Sequence, residues 1–140
     1  MTLTITDYAH LRLTVTDIAR SRAFYDAVFG FEVLVEAPPA DADQATKDAL
    51  AFVFGGVIYR FGGGVLGLRP VAPGYDSFDE DRVGLDHLSF SMPARADLDE
   101  AVAHLDSLGI AHERIKDIGR ASILEFRDPD NIALEFNAPN

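Results

Sequence analysis

The chain is expected to fold as an α+β domain built from two βαβββ modules, and three observations in its 140 residues carry that expectation. YAHLRLTV (residues 8–15) and GLDHLSFSM (residues 84–92) share one design, a histidine entering an alternating strand that is apolar on one face and polar on the other. Each is followed by one amphipathic helix and three further strand-like runs. The spacing repeats too, with 20 residues from His10 to the glycine that stops the first helix, Gly30, and 22 from His87 to its counterpart Gly109. Self-similarity in order and spacing marks an internal duplication, and two copies make a pair of modules, not a solenoid.

The elements follow in order. In the first strand Leu11, Leu13 and Val15 share a face, with His10, Arg12 and Thr14 on the other. TDIARSRAFYDAVFG then sets Ile18, Phe24, Tyr25, Val28 and Phe29 near helical spacing, with Thr16 or Asp17 as cap and Gly30 past the end. FEVLVE (31–36) is the second strand. Residues 37–56 break the pattern with two prolines and several acids; they end either in a helix over Asp48–Phe54 or in a strand AFVF, closed by Gly55 and Gly56. VIYRF (57–61), the turn GGG and VLGLR (65–69) read as a hairpin.

Residues from about 71 to 83 are rich in turn formers and acids and read as a linker between module one, about 8–70, and module two, about 84–137, within a single domain spanning 1–140. In the second histidine strand Leu88, Phe90 and Met92 oppose His87, Ser89 and Ser91. ADLDEAVAHLDSLG places Leu98, Ala101, Val102, Leu105 and Leu108 on one helical face, with Asp97 and Glu100 spaced as a capping pair and Gly109 as the stop. IAHERI, ASILEF and NIALEF supply three more strands, the last two joined by the turn RDPD (127–130).

Composition narrows the chemistry. With 48% hydrophobic residues, 140 positions suffice for one core that buries about two thirds of the unfolded surface without staples. The chain has no cysteine, so any metal must be held by histidine and carboxylate. A net charge of −11 lacks the clustered cations that a phosphate backbone needs, and nucleic acid is not an expected partner. No basic leader and no run approaching ~20 apolar residues is present, so no membrane association and a cytoplasmic location are expected.

In NIALEF, Glu135 lies on the face opposite Ile132, Leu134 and Phe136. Singly, His10, His87 and Glu135 each have an ordinary explanation as a hydrogen-bonded or solvated strand residue. Together, if the apolar faces pack on the helices, they share the opposite, concave face. Two imidazoles and one carboxylate with open positions suit Fe(II), Mn(II), Zn(II) or Ni(II). Arg12, two residues after His10 on the same face, is a candidate anchor for a substrate anion, against the alternative of a surface ion pair. His104 reads as a solvated surface residue and His112 is assigned no role; Tyr59, Tyr75 and Arg69 could reach a cleft, but any domain of this size has such residues. FGGG is a hairpin turn, because no helix follows it to cradle a phosphate.

The HLxLxVxD start, FYDAVFGFEV, GLDHLSF and the closing FRDPDNIALEF resemble the vicinal oxygen chelate superfamily, which includes glyoxalase I, extradiol dioxygenases, fosfomycin-resistance enzymes and bleomycin-resistance proteins. The resemblance spans residues from about 8 to 137, and its motifs specify the fold more than the reaction. It implies curved sheets around a metal-binding cleft, metal ligands at His10, His87 and Glu135, and a homodimer in which His10 comes from one subunit and His87 with Glu135 from the other. The fourth family position falls at Gly67, where a glyoxalase-type enzyme carries glutamate, and glycine is neither ligand nor proton-transfer base. The implied activity is metal-dependent chelation of a small, anionic substrate through vicinal oxygens, with dioxygenase-type chemistry first. The alternatives are a redox-neutral lyase, isomerase or fosfomycin-type transferase, and a non-catalytic antibiotic-binding protein.

Overall fold

The structure is a computed structural model and describes residues 2–140. Its eight strands form two four-stranded mixed sheets, ordered β1-β4-β3-β2 and β5-β8-β7-β6, accompanied by three helices. The α+β class and the doubled βαβββ order are both present, as two separate sheets with no closed barrel. The chain divides into two compact units, one running to Arg22 and resuming over Phe29–Tyr75, the other comprising Ala23–Val28 and Asp76–Asn140.

In the first unit β1 (Leu11–Thr14) runs parallel to β4 (Gly64–Arg69), which pairs antiparallel with β3 (Val57–Phe61); β3 in turn pairs with β2 (Glu32–Glu36). Alternation buries Leu13, Val57, Tyr59, Leu66 and Leu68 on one side of this sheet. Asp17 caps α1 (Ile18–Phe29) by accepting the Arg20 N–H at 3.0 Å, and Gly30 ends it with φ 59°. The undecided segment holds α2 (Gln44–Ala49), capped by Asp43, and a single 3-10 turn over Ala51–Val53. The helix starts earlier than Asp48 because the Asp43 carboxylate takes the Thr46 N–H at 2.7 Å.

The second unit repeats the scheme: β5 (Leu88–Ser91) is parallel to β8 (Ala133–Pro139), and β8 is antiparallel to β7 (Ala121–Arg127), which meets β6 (Lys116–Asp117). Helix α3 (Arg95–Ser107) buries Leu98, Ala101 and Leu105 against this sheet. It begins ahead of the expected capping pair: Asp97 sits in its first turn and accepts the Ala94 N–H at 2.8 Å, while alanine offers no side-chain acceptor in return. The strand expected over IAHERI does not form beyond an isolated bridge between His112 and Phe126. Ile110 and Ile115 are separated by an odd number of positions, so no flat strand can bury both on one face.

The linker is tied to the β7–β8 turn. Phe78 donates its N–H to the Asp130 carbonyl and accepts from Asn131 Nδ2, while Arg127 forks onto Glu80 at 2.9 and 2.5 Å. That hydrogen-bonded guanidinium lowers the Glu80 pKa to about 2. A carboxylate whose folded pKa lies below its unfolded value stabilises the fold above the unfolded value, here 4.5, and loses that contribution as pH falls towards 2. Glu80→Gln is therefore expected to lower stability modestly at neutral pH, the exposed pair being screened by solvent, and to converge with wild type as pH falls from 4.5 towards 2. An acid-denaturation curve identical to wild type would show that the ion pair contributes nothing.

Candidate functional site

In the second unit a row of polar side chains crosses the sheet. Register sets Ser89 of β5 beside Glu135 of β8, and Glu135 beside Glu125 of β7. Alternation turns these side chains away from Leu134 and Phe136, so they share a face. Glu135 is only 8% exposed and accepts a 2.6 Å hydrogen bond from Ser89 Oγ. Glu125 instead forms an ion pair with Lys116. His87 is exposed and stands immediately before β5, with Nδ1 2.5 Å from an Asp86 carboxylate oxygen. Its pKa is raised, first by that hydrogen bond and then by the fields of Glu135, Asp86 and Glu125. An Asp86-bonded Nδ1–H leaves Nε2 as the nitrogen free to take a ligand.

The same register in the first unit sets Arg12 of β1 beside Gly67 of β4. Arg12 is thus the counterpart of Ser89, and Gly67 the counterpart of Glu135. A Cβ at Gly67 would lie 3.1 Å from Arg12 Nε and 3.2 Å from its Cγ. The arginine side chain lies across the space that a side chain at 67 would need. Arg12 Nη2 donates to the Phe52 carbonyl at 3.0 Å, and its Cζ is 5.8 Å from the centre of the Phe54 ring. His10, exposed just ahead of β1, lines a cavity of about 300 Å³ together with Arg12, Phe52, Ile58 and Gly67.

The segment between β2 and β3, left open by the sequence, therefore supplies Phe52 and Phe54, the latter in a left-handed conformation with φ 54°. Asp86 and Glu125 were also missed. Glu125 carried the signal that picked out Glu135, a lone acid alternating with apolar residues in a strand. Tyr59 is fully buried in the core and Tyr75 is 91% exposed. His104 lies on the surface as expected, with Nε2 2.9 Å from the Ala27 carbonyl, and His112 Nδ1 is 2.7 Å from the Glu113 carbonyl. Among the described residues no group of three or more His, Cys, Asp or Glu is spaced to hold a metal ion. His87 and Glu135 are the part of the expected set that the second unit brings together.

Two βαβββ modules, each with a parallel pairing of its first and last strands, define a protein of vicinal oxygen chelate fold. The chain belongs to the Glyoxalase/Bleomycin resistance protein/Dioxygenase superfamily, whose model matches residues 7–136. It is 34% identical over 129 residues to the uncharacterized protein YaeR of Escherichia coli, covering 91% of this chain and 92% of that protein. Among solved structures it is similar to a glyoxylase/bleomycin resistance protein/dioxygenase domain from a Frankia species, at 31% identity and a TM-score of 0.77, covering 98% of this chain and 94% of that one. The fosfomycin resistance protein FosX of Listeria monocytogenes, solved with Mn(II) and dihydroxypropylphosphonic acid, shares the fold at 19% identity and a TM-score of 0.71, covering 98% and 95%.

Proposed function

We propose that the protein is a divalent-metal-dependent enzyme that chelates a small anionic substrate through adjacent oxygens, with His10, His87 and Glu135 as the protein ligands. The observation that carries this reading is Glu135, a buried carboxylate whose field reaches the His87 imidazole just ahead of the neighbouring strand, with no ion pair described for it. Burial of an unpaired carboxylate costs several kcal/mol, and a divalent cation would offset that cost. The donor set of imidazole and carboxylate suits iron, manganese, zinc or nickel.

The ligands divide between chains in this proposal: His10 from one subunit of a homodimer, His87 and Glu135 from the other. Its support is the family resemblance, together with the division of the set between the two units, His10 in the first and His87 with Glu135 in the second. Ser89 holds one Glu135 oxygen and leaves the second to bind; Asp86 orients the His87 ring. Arg12 holds the substrate anion. When bound, the metal supplies Lewis acidity towards the substrate oxygens and, if iron or manganese, a site for dioxygen. Gly67 with Arg12 in its space removes the second carboxylate that proton transfer of the glyoxalase kind would use, and so favours oxygenation of a catechol-like or enediol substrate over isomerisation.

The test is elemental analysis of gently purified protein, paired with sedimentation at micromolar concentration. Stoichiometric iron or manganese in a dimer, with oxygen consumed during turnover, is the expected result. A metal-free monomer that binds a ligand tightly without turning it over would overturn the enzymatic reading in favour of sequestration.

A further inference from the structure

Resting on the reading of the His10 cavity as the substrate site, we infer that Arg12 and Arg69 together form a receptor for a doubly charged oxyanionic group on the substrate. Strand alternation supports the pairing. Arg12 faces Gly67 across β1 and β4, and Arg69 is two residues beyond Gly67, so both side chains leave the same face of the sheet. Both converge on one ring: Arg69 Cζ is 4.2 Å from the Phe54 centroid and Arg12 Cζ is 5.8 Å from it. Each is within cation–π range of that ring, and neither has a carboxylate partner among the described residues.

That arrangement is unusual in a chain with 23 acidic and 12 basic side chains, where most guanidiniums can find a carboxylate. Arg22, Arg60, Arg95 and Arg127 each do. Two half-buried cations beside one another repel, and the ring face and the Phe52 carbonyl only partly offset this. A dianion offsets it fully. Gly67 contributes by its lack of a side chain, since any Cβ would press on the Arg12 side chain. By register Arg12 corresponds to Ser89 and Arg69 to Asn137, so this face carries two cations in the first unit where the second has neutral side chains beside Glu135.

The experiment titrates metal-free, arginine-labelled protein with inorganic phosphate at pH 8 and low ionic strength, following the Nε–Hε resonances, with acetate as the monoanion and chloride as the ionic-strength control. Phosphate is expected to shift both arginine signals saturably and to bind more tightly than acetate. Arg12→Gln and Arg69→Gln should each weaken it by about tenfold or more. Gly67→Glu, which keeps both arginines but sets a carboxylate against Arg12, should weaken phosphate binding as strongly. Shifts no larger than those of chloride, acetate binding as tightly as phosphate, or phosphate binding unchanged in both glutamine variants would each overturn the inference. Metal content measured on the same variants separates this from the metal reading: the arginine variants should load metal as wild type does, and loss of metal alone in ligand variants leaves the anion receptor standing.

Discussion

Glu135→Ala is expected to reduce metal affinity by more than the roughly 10–100-fold that loss of an outer hydrogen-bond partner costs, and His10→Ala and His87→Ala should do the same. Ser89→Ala and Asp86→Asn, which touch Glu135 and His87 without being proposed ligands, should fall within that 10–100-fold range. Equilibrium dialysis followed by elemental analysis measures all five. The fold should survive the histidine changes, because both residues are exposed and precede their strands. Mixing is the sharper arm. If the site is shared between chains, co-assembled His10→Ala and Glu135→Ala subunits regain one intact site in each mixed dimer. Recovery of no metal on mixing, while each variant alone is empty and dimeric, would place all ligands in one chain.

Asp128→Ala is expected to be strongly destabilising although it lies outside that site. The side chain is 5% exposed; one oxygen accepts the Asp130 and Ile132 N–H groups at 2.8 Å each, and the other accepts the Tyr25 hydroxyl at 3.1 Å. Alanine removes the acceptor that three donors share, and a loss of about 3 kcal/mol follows. Asp128→Asn keeps a carbonyl oxygen for the two N–H groups and should cost about 1 kcal/mol. Burial is the leading cause of a raised Asp128 pKa. A raised folded pKa means that the native state holds its proton longer, so this residue's contribution to stability falls as pH rises from the unfolded value through the folded one. Asparagine should remove that dependence. Urea unfolding of the three proteins across pH 4–7 measures it, and an alanine variant within about 1 kcal/mol of wild type would show that the turn is held by other contacts.

These expectations draw unevenly on sequence and structure. The turn RDPD was legible as a turn, yet the role of Asp128 within it was not, because the partner Tyr25 is far away in sequence and only folding sets the two side by side. His10, His87 and Glu135 could be singled out because each is an ionisable side chain on the polar face of a strand whose alternation is local. Glu125 lies on the same kind of face and was passed over, since the family resemblance points to the last strand of each module and Glu125 is in the strand before it. The lost strand at 110–115 shows the opposite error: β-branched residues are present, but their spacing cannot bury them on one face.

By itself the sequence determined the doubled strand–helix order, the apolar faces of the two histidine strands and of the last strand, and helix ends at Gly30 and Gly109, because periodicity and backbone freedom act over a few residues. It also showed a glycine at 67, within the last strand of the first module. Only the tertiary structure decided what that glycine means. Cross-strand register laid Arg12 over Gly67 and Ser89 against Glu135, and the short helix and turn over residues 44–53 led the chain to Phe54 beneath two arginines. Those pairings depend on which strands become neighbours and on the space left between their side chains, and both are set by packing between distant parts of the chain.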